Sequence, residues 1–187
     1  MKQLESEIKR LSGGTELEIK EIYDNLTLTV FEKGDFLVKQ GNICNQYFFV
    51  ESGTLRLYYW KADKEFTVWL GQEGQIFTEL DSYLNQRPAL VSIESLENSL
   101  VYRITKEKSD KLALKSVAYN TLLRRTVEEA FANMSRNIIS FQSEDAKERF
   151  RRVEQEKNWL EKYPLKYISS FIGVTQSSLS RVRAKKD

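Results

Sequence analysis

The sequence predicts an α+β chain: an antiparallel β-roll of double-stranded β-helix or jelly-roll kind with flanking helices, then a long helix, then a carboxyl-terminal helix-turn-helix. Three observations carry that prediction. From residue 26 to 104, short runs of β-branched and aromatic residues are punctuated by Gly34, Gly41, Gly53, Gly71 and Gly74, as in strands limited by turns. After Ile104 no glycine occurs until Gly173, and strong helix formers take over. From Leu112 onward apolar residues recur three and four apart, the period of one helix face.

The elements follow in order. Leu4, Ile8 and Leu11 precede Gly13-Gly14, and Leu17, Ile19, Ile22 and Tyr23 follow it, which predicts two short helices. Strands are expected at 26–31, 36–38, 47–50, 54–60, 65–70, 91–95 and 100–104; without long helices between them they favour an antiparallel barrel or sandwich. A long helix is expected over 116–140. It can pack on its own roll alone, or it can also pair with its copy through Leu123, Val127, Phe131, Met134 and Ile138, the reading favoured by the length of the apolar stripe. Ser143 offers a cap, with Glu144 and Asp145 in the first turn of a helix reaching about residue 162. Tyr163-Pro164 ends it, and Pro164 suits the start of the next helix. The expected division is a sensor domain at residues 1–115, a dimerisation helix at 116–142 and a DNA-binding domain at 143–187.

Composition narrows the chemistry. The chain of 187 residues is 41% apolar, enough for packed cores. It shows neither a membrane-length apolar run nor an apolar signal core, so a cytoplasmic location is expected. Cys44 stands alone and histidine is absent, which leaves no disulfide, no metal cluster, no histidine-dependent triad and no usual haem ligand. No catalytic residue and no metal site is expected. The net charge of +2 is unevenly spread: residues 1–140 carry 18 basic and 20 acidic side chains, residues 141–187 carry 11 and 7. That excess suits a polyanionic partner.

The richest signal lies at 164–186. Ile168 and Ile172 are four apart, Gly173-Val174-Thr175 follows, and Leu179 and Val182 are three apart, which reads as helix, tight turn, helix. Gly173 permits a positive φ, Val174 plugs the angle between the helices, Thr175 caps the second helix, and Ser169 is small enough for close approach. These spacings are those of a DNA-reading helix-turn-helix. With Leu179 and Val182 inward, Gln176, Ser177, Ser180, Arg181, Arg183 and Lys185 face solvent. Gln176 can address adenine and Arg181 guanine, while Thr175, Ser178 and the lysines hold phosphates.

Lys33-Gly34-Asp35, Lys39-Gln40-Gly41, Phe48-Phe49-Val50 and Ser52-Gly53 in front, with the run 164–183 behind, resemble the Crp/Fnr superfamily of bacterial transcription regulators, in particular the subgroup whose chains stop soon after the recognition helix. The resemblance implies a cyclic-nucleotide-binding-like β-roll, a homodimer, DNA as partner, RNA polymerase as a further partner, and a small-molecule effector, cyclic AMP or another. The family's effector cassette resembles Phe-Gly-Glu, a short helix, then Arg-Ser/Thr-Ala. The corresponding pocket residues here are Phe77, Thr78, Glu79, Leu80, Arg87, Pro88 and Ala89. Glu79 matches the ribose carboxylate, whereas Thr78 replaces the close-approach glycine and Pro88 removes an N–H. Aligned without a gap through Ser92-Ile93-Glu94, Ala89 stands where the phosphate arginine belongs; with a gap, Arg87 takes that role. The family's wing after the recognition helix has no counterpart before Lys186-Asp187, which implies lower DNA affinity, stronger salt dependence, or reliance on other surfaces such as Arg149, Arg151 and Arg152. The expected function is a homodimeric DNA-binding regulator. The alternative is a cyclic-nucleotide-binding module that acts on a partner protein with a vestigial helix-turn-helix.

Overall fold

The computed structural model describes residues 3–156 and 158–184, the last three of these without their side chains. Two helices, α1 (Gln3–Ser12) and α2 (Glu16–Asp24), precede eight strands: β1 (Thr27–Phe31), β2 (Phe36–Val38), β3 (Gln46–Ser52), β4 (Thr54–Lys61), β5 (Lys64–Gln72), β6 (Ile76–Phe77), β7 (Ser92–Ser95) and β8 (Ser99–Thr105). A short helix α3 (Leu80–Asn85) lies between β6 and β7. The strands form two antiparallel sheets, ordered β1-β8-β3-β6 and β2-β7-β4-β5, so the expected α+β roll is borne out. The chain changes sheet between β3 and β4 at Gly53, where φ is +106° and a Cβ would run into Ser99.

Period-two alternation distributes β3 between two cores. Phe48 and Val50 point between the sheets with Leu55, Leu57, Ile93 and Val101. Tyr47 and Phe49 point outward, where Leu4, Ile8 and Ile22 of the first two helices cover them with Leu112, Tyr119 and Leu122. The last three come from α4 (Lys106–Lys115) and α5 (Val117–Ser143). Then come α6 (Ala146–Gln155), α7 (Trp159–Lys162), α8 (Leu165–Phe171) and α9 (Gln176–Ala184).

The seven expected strands recur within two residues, and α5 runs three residues beyond its expected end. Sequence reading missed β6, which is two residues long, and gave no bounds for α3 and α4. It also set the cap after α5 too early. Ser143 is still inside α5 and donates to the Ile139 carbonyl, while Asp145 caps α6 by accepting from the N–H groups of Lys147 and Glu148. The single helix expected up to residue 162 is broken at Asn158, which takes a left-handed φ of 64°. The break lets Trp159 pack on both Tyr163 and Phe171.

Candidate nucleic-acid interface and effector site

Pro164 precedes α8 at its N-cap. Ile168 from α8 and Ile172 at its C-cap meet Leu179 from α9 in a buried cluster with Phe150, Val153, Trp159 and Tyr163. Ser169 is buried at the crossing, its hydroxyl donating to the Lys166 carbonyl. Gly173 has a φ of +72°, and a Cβ there would come within 2.7 Å of the Phe141 ring. The turn therefore needs glycine both for its conformation and for the approach of α5. Val174 packs against the same cluster. Thr175 accepts from the Ser178 N–H at 3.2 Å and so caps α9, the usual duty of a hydroxyl at that position.

With Leu179 inward, Gln176, Ser177, Ser180 and Arg181 are exposed on α9 and Ser178 is half-buried. The Arg181 Nε donates to the Ser177 carbonyl at 3.4 Å. The side chains of Val182 and Arg183, and the whole of Lys185, lie outside the described residues. The three arginines of α6 divide. Arg149 donates to the carbonyls of Ile172 and Glu144, tying α6 to the turn, and Arg152 stands 3.1 Å from Glu144. Arg151 is exposed.

The helix-turn-helix is docked on the free edge of β5. Ser170 accepts from the Thr67 N–H and donates to the Glu65 carbonyl, which satisfies part of an edge that would otherwise stay open. The Tyr163 hydroxyl donates to the Gly71 carbonyl at 2.7 Å, and burial pushes that phenol upward. Arg56, 1% exposed, lies between the rings of Tyr58 and Tyr167 at 4.2 and 4.0 Å and pairs with Glu65 at 2.7 Å. Glu94 is 3.9 Å from the same guanidinium; desolvation raises its carboxyl above the usual range, with Arg56 opposing. Sequence reading missed Arg56, Tyr163 and Ser170. The one available signal was a guanidinium inside the apolar run 55–58.

The expected effector residues come together, but they bond to one another. Glu79 is buried and accepts from the Ser82 N–H at 2.7 Å, which caps α3. Thr78 donates to the Gln46 carbonyl and touches Cys44. Arg87 is exposed and forked onto Asp81 through Nε and Nη2; that pairing holds the Asp81 carboxyl low and the guanidinium high. Pro88 bridges to Ile43, Leu80 is exposed, and Ala89 is buried with its N–H donated to the Asn42 carbonyl. Phe77 packs against the core between the sheets, near Phe48. A cyclic phosphate needs a cation and free N–H groups. In this arrangement the residues present do not fit one, because the only arginine of the cassette faces solvent in a carboxylate pair.

A cavity of about 240 Å³ lies elsewhere, where β5, α5, α6, α7 and α8 meet. Among the described residues no group of histidine, cysteine, aspartate and glutamate could hold a metal ion, and no helix is long and apolar enough to cross a membrane.

Against known proteins, residues 28–116 match the family model of the cyclic nucleotide-binding domain. Over nearly its whole length the chain superimposes on CLP of Xanthomonas campestris, described as a c-di-GMP responsive global regulator, with a TM-score of 0.73 at 14% identity over 91% of both chains. The chain has the Crp/Fnr fold. A CooA mutant from Carboxydothermus hydrogenoformans gives 0.73 at 17% identity, covering 95% of this chain and 82% of that one. A protein of Eubacterium rectale described as a transcriptional regulator of the crp/fnr family gives 0.69 at 18%, covering 91% and 82%. Among curated proteins, the cAMP-dependent protein kinase regulatory subunit of Debaryomyces hansenii is 26% identical over 106 residues, 57% of this chain and 23% of that protein. The chain thus spans under a quarter of that relative. CLP and the Eubacterium rectale protein are described as regulators, and the Debaryomyces hansenii protein as a kinase regulatory subunit.

Proposed function

We propose that this chain is a homodimeric, cytoplasmic DNA-binding transcription regulator. In this reading residues 1–115 form the sensor domain, 116–142 the dimerisation helix and 143–187 the DNA-binding domain. The observation that carries the reading is the docked pair α8 and α9: its apolar face is closed, while Gln176, Ser177, Ser180 and Arg181 are left exposed on one side. That is the chemistry that reads base edges, with Thr175, Ser178, Arg183 and Lys185 assigned to phosphates and flanking contacts. Two-fold operators need two such helices. Phe131, Met134 and Ile138 on α5, 69%, 57% and 51% exposed, supply an apolar seam, with Leu123 and Val127 continuing it toward the roll.

An effector acts by biasing the setting of the helix-turn-helix against β5, a population shift between arrangements. Cyclic AMP is a poor candidate for that effector, given the cassette's internal bonding; RNA polymerase is a further partner that the Crp/Fnr resemblance implies. The kinase regulatory subunit favours a second reading, in which the roll regulates a partner protein. DNA selection from a random pool separates the two. The regulator reading requires enrichment of a two-fold sequence, and Arg181→Ala should then lose about 1–3 kcal/mol of discrimination at one base pair of each half-site. Failure to enrich any sequence at low salt would overturn it.

A further inference from the structure

The cavity between the roll, α5 and α6 has a lining that the DNA-binding reading leaves unused. Its lining includes the aromatic residues Trp69, Phe141, Trp159 and Phe171. Its charged groups are Arg136, Arg149, Arg152 and Glu156. Glu156 is exposed and Arg149 is committed to two carbonyls. Arg136 has no carboxylate partner among the described residues, its one hydrogen bond going to the Asn133 amide oxygen. Arg152 faces a Glu144 oxygen that already accepts from Ser140. Arg136 is exposed and Arg152 half-buried, and both guanidinium groups keep N–H donors that no protein acceptor among the described residues uses. Asn137 lines the same space without a hydrogen-bond partner among the described residues, and Gln75 uses its oxygen on Trp69 and Gln72 while its amide N–H groups stay unused.

Aromatic residues, guanidinium donors and unused amide N–H groups together select a flat ring carrying an anionic group. At 240 Å³ the space is below the roughly 300–1,000 Å³ of drug-sized sites, which limits the ligand to one or two rings. We propose that this cleft is a binding site for a small aromatic carboxylate, separate from the roll interior where Phe48 and Phe77 occupy the space between the sheets. A ligand there touches the roll through Gln75, α5 through Asn137 and α6 through Arg152, so it fixes the angle between sensor and helix-turn-helix. The site stands or falls independently of DNA binding, since its test needs no DNA.

The test is calorimetric titration of the full chain with 2-naphthoate, with neutral 2-naphthylmethanol as the uncharged counterpart. The expected result is saturable 2-naphthoate binding between about 10 μM and 1 mM, at least tenfold tighter than the alcohol. Arg136→Gln combined with Arg152→Gln should weaken naphthoate at least tenfold while leaving the alcohol unchanged. Asn137→Trp should fill the cleft and abolish both, with its circular dichroism spectrum checked against wild type. No saturation by about 10 mM, equal affinity for acid and alcohol, or binding that survives Asn137→Trp in a folded protein would each overturn the proposal.

Discussion

The cassette at residues 77–89 and the helix-turn-helix at 164–181 are both rich in hydroxyl, amide and charged side chains, yet they dispose of them in opposite ways. In the cassette Glu79 caps α3, Thr78 bonds the Gln46 carbonyl and Arg87 is forked onto Asp81. In α9, by contrast, Gln176, Ser177, Ser180 and Arg181 stand exposed on a helix already held by its apolar face. The two halves of α5 repeat the contrast with apolar groups. Ala118, Tyr119 and Leu122 are buried against the roll, whereas Phe131, Met134 and Ile138 are bare. The lesson is that residue type does not make a site; surplus bonding capacity or uncovered surface does.

The contrast within α5 is the easiest to break. Phe131→Glu places a charge in the centre of the bare stripe, and light scattering should then give a mass near 21.9 kDa where wild type gives twice that. A monomeric wild type at working concentration would mean that the exposed half needs another cover. The contrast at the cassette is tested by cyclic AMP titration. With two phosphate partners missing at about 1–3 kcal/mol each, binding should be no tighter than about millimolar. Saturation at micromolar cyclic AMP, lost in Arg87→Ala, would show that Arg87 leaves Asp81 to hold the phosphate.

The smallest effect concerns the junction between the two regions. Glu94 faces Arg56 and Glu65 from the sheet and Lys166 from α8. Its carboxyl is raised in the folded chain, so the folded state holds that proton more tightly than the unfolded one. Its contribution to stability is therefore full below the ordinary carboxylate value and is lost as pH rises through the raised one. Denaturant unfolding across that window should show a shallower decline in Glu94→Gln than in wild type. Equal slopes would mean that Glu94 titrates as it does in the unfolded chain.

Much of this molecule was legible in local pattern. Strand positions followed from glycine-limited β-branched runs, and the turn of the helix-turn-helix from Gly173 and Thr175, because backbone freedom and caps act over three or four residues. The capping error at Ser143 has the same origin. Asp145, expected in the first turn, is the cap instead through its reciprocal bonds with Glu148, a geometry that residue type alone does not reveal.

By itself, then, the sequence determined the order of elements, the apolar faces and the chemistry offered by α9, since each depends on periodicity and on neighbours close along the chain. Only the tertiary structure decided whether Arg87 faces a ligand or Asp81, where Arg56 finds its two rings, and that Ser170 closes the edge of β5. It alone placed Arg136, Asn137 and Arg152 around one cavity. Those outcomes bring together groups far apart in sequence or choose among competing partners. Their energies depend on burial and angle, which no spacing along the chain encodes.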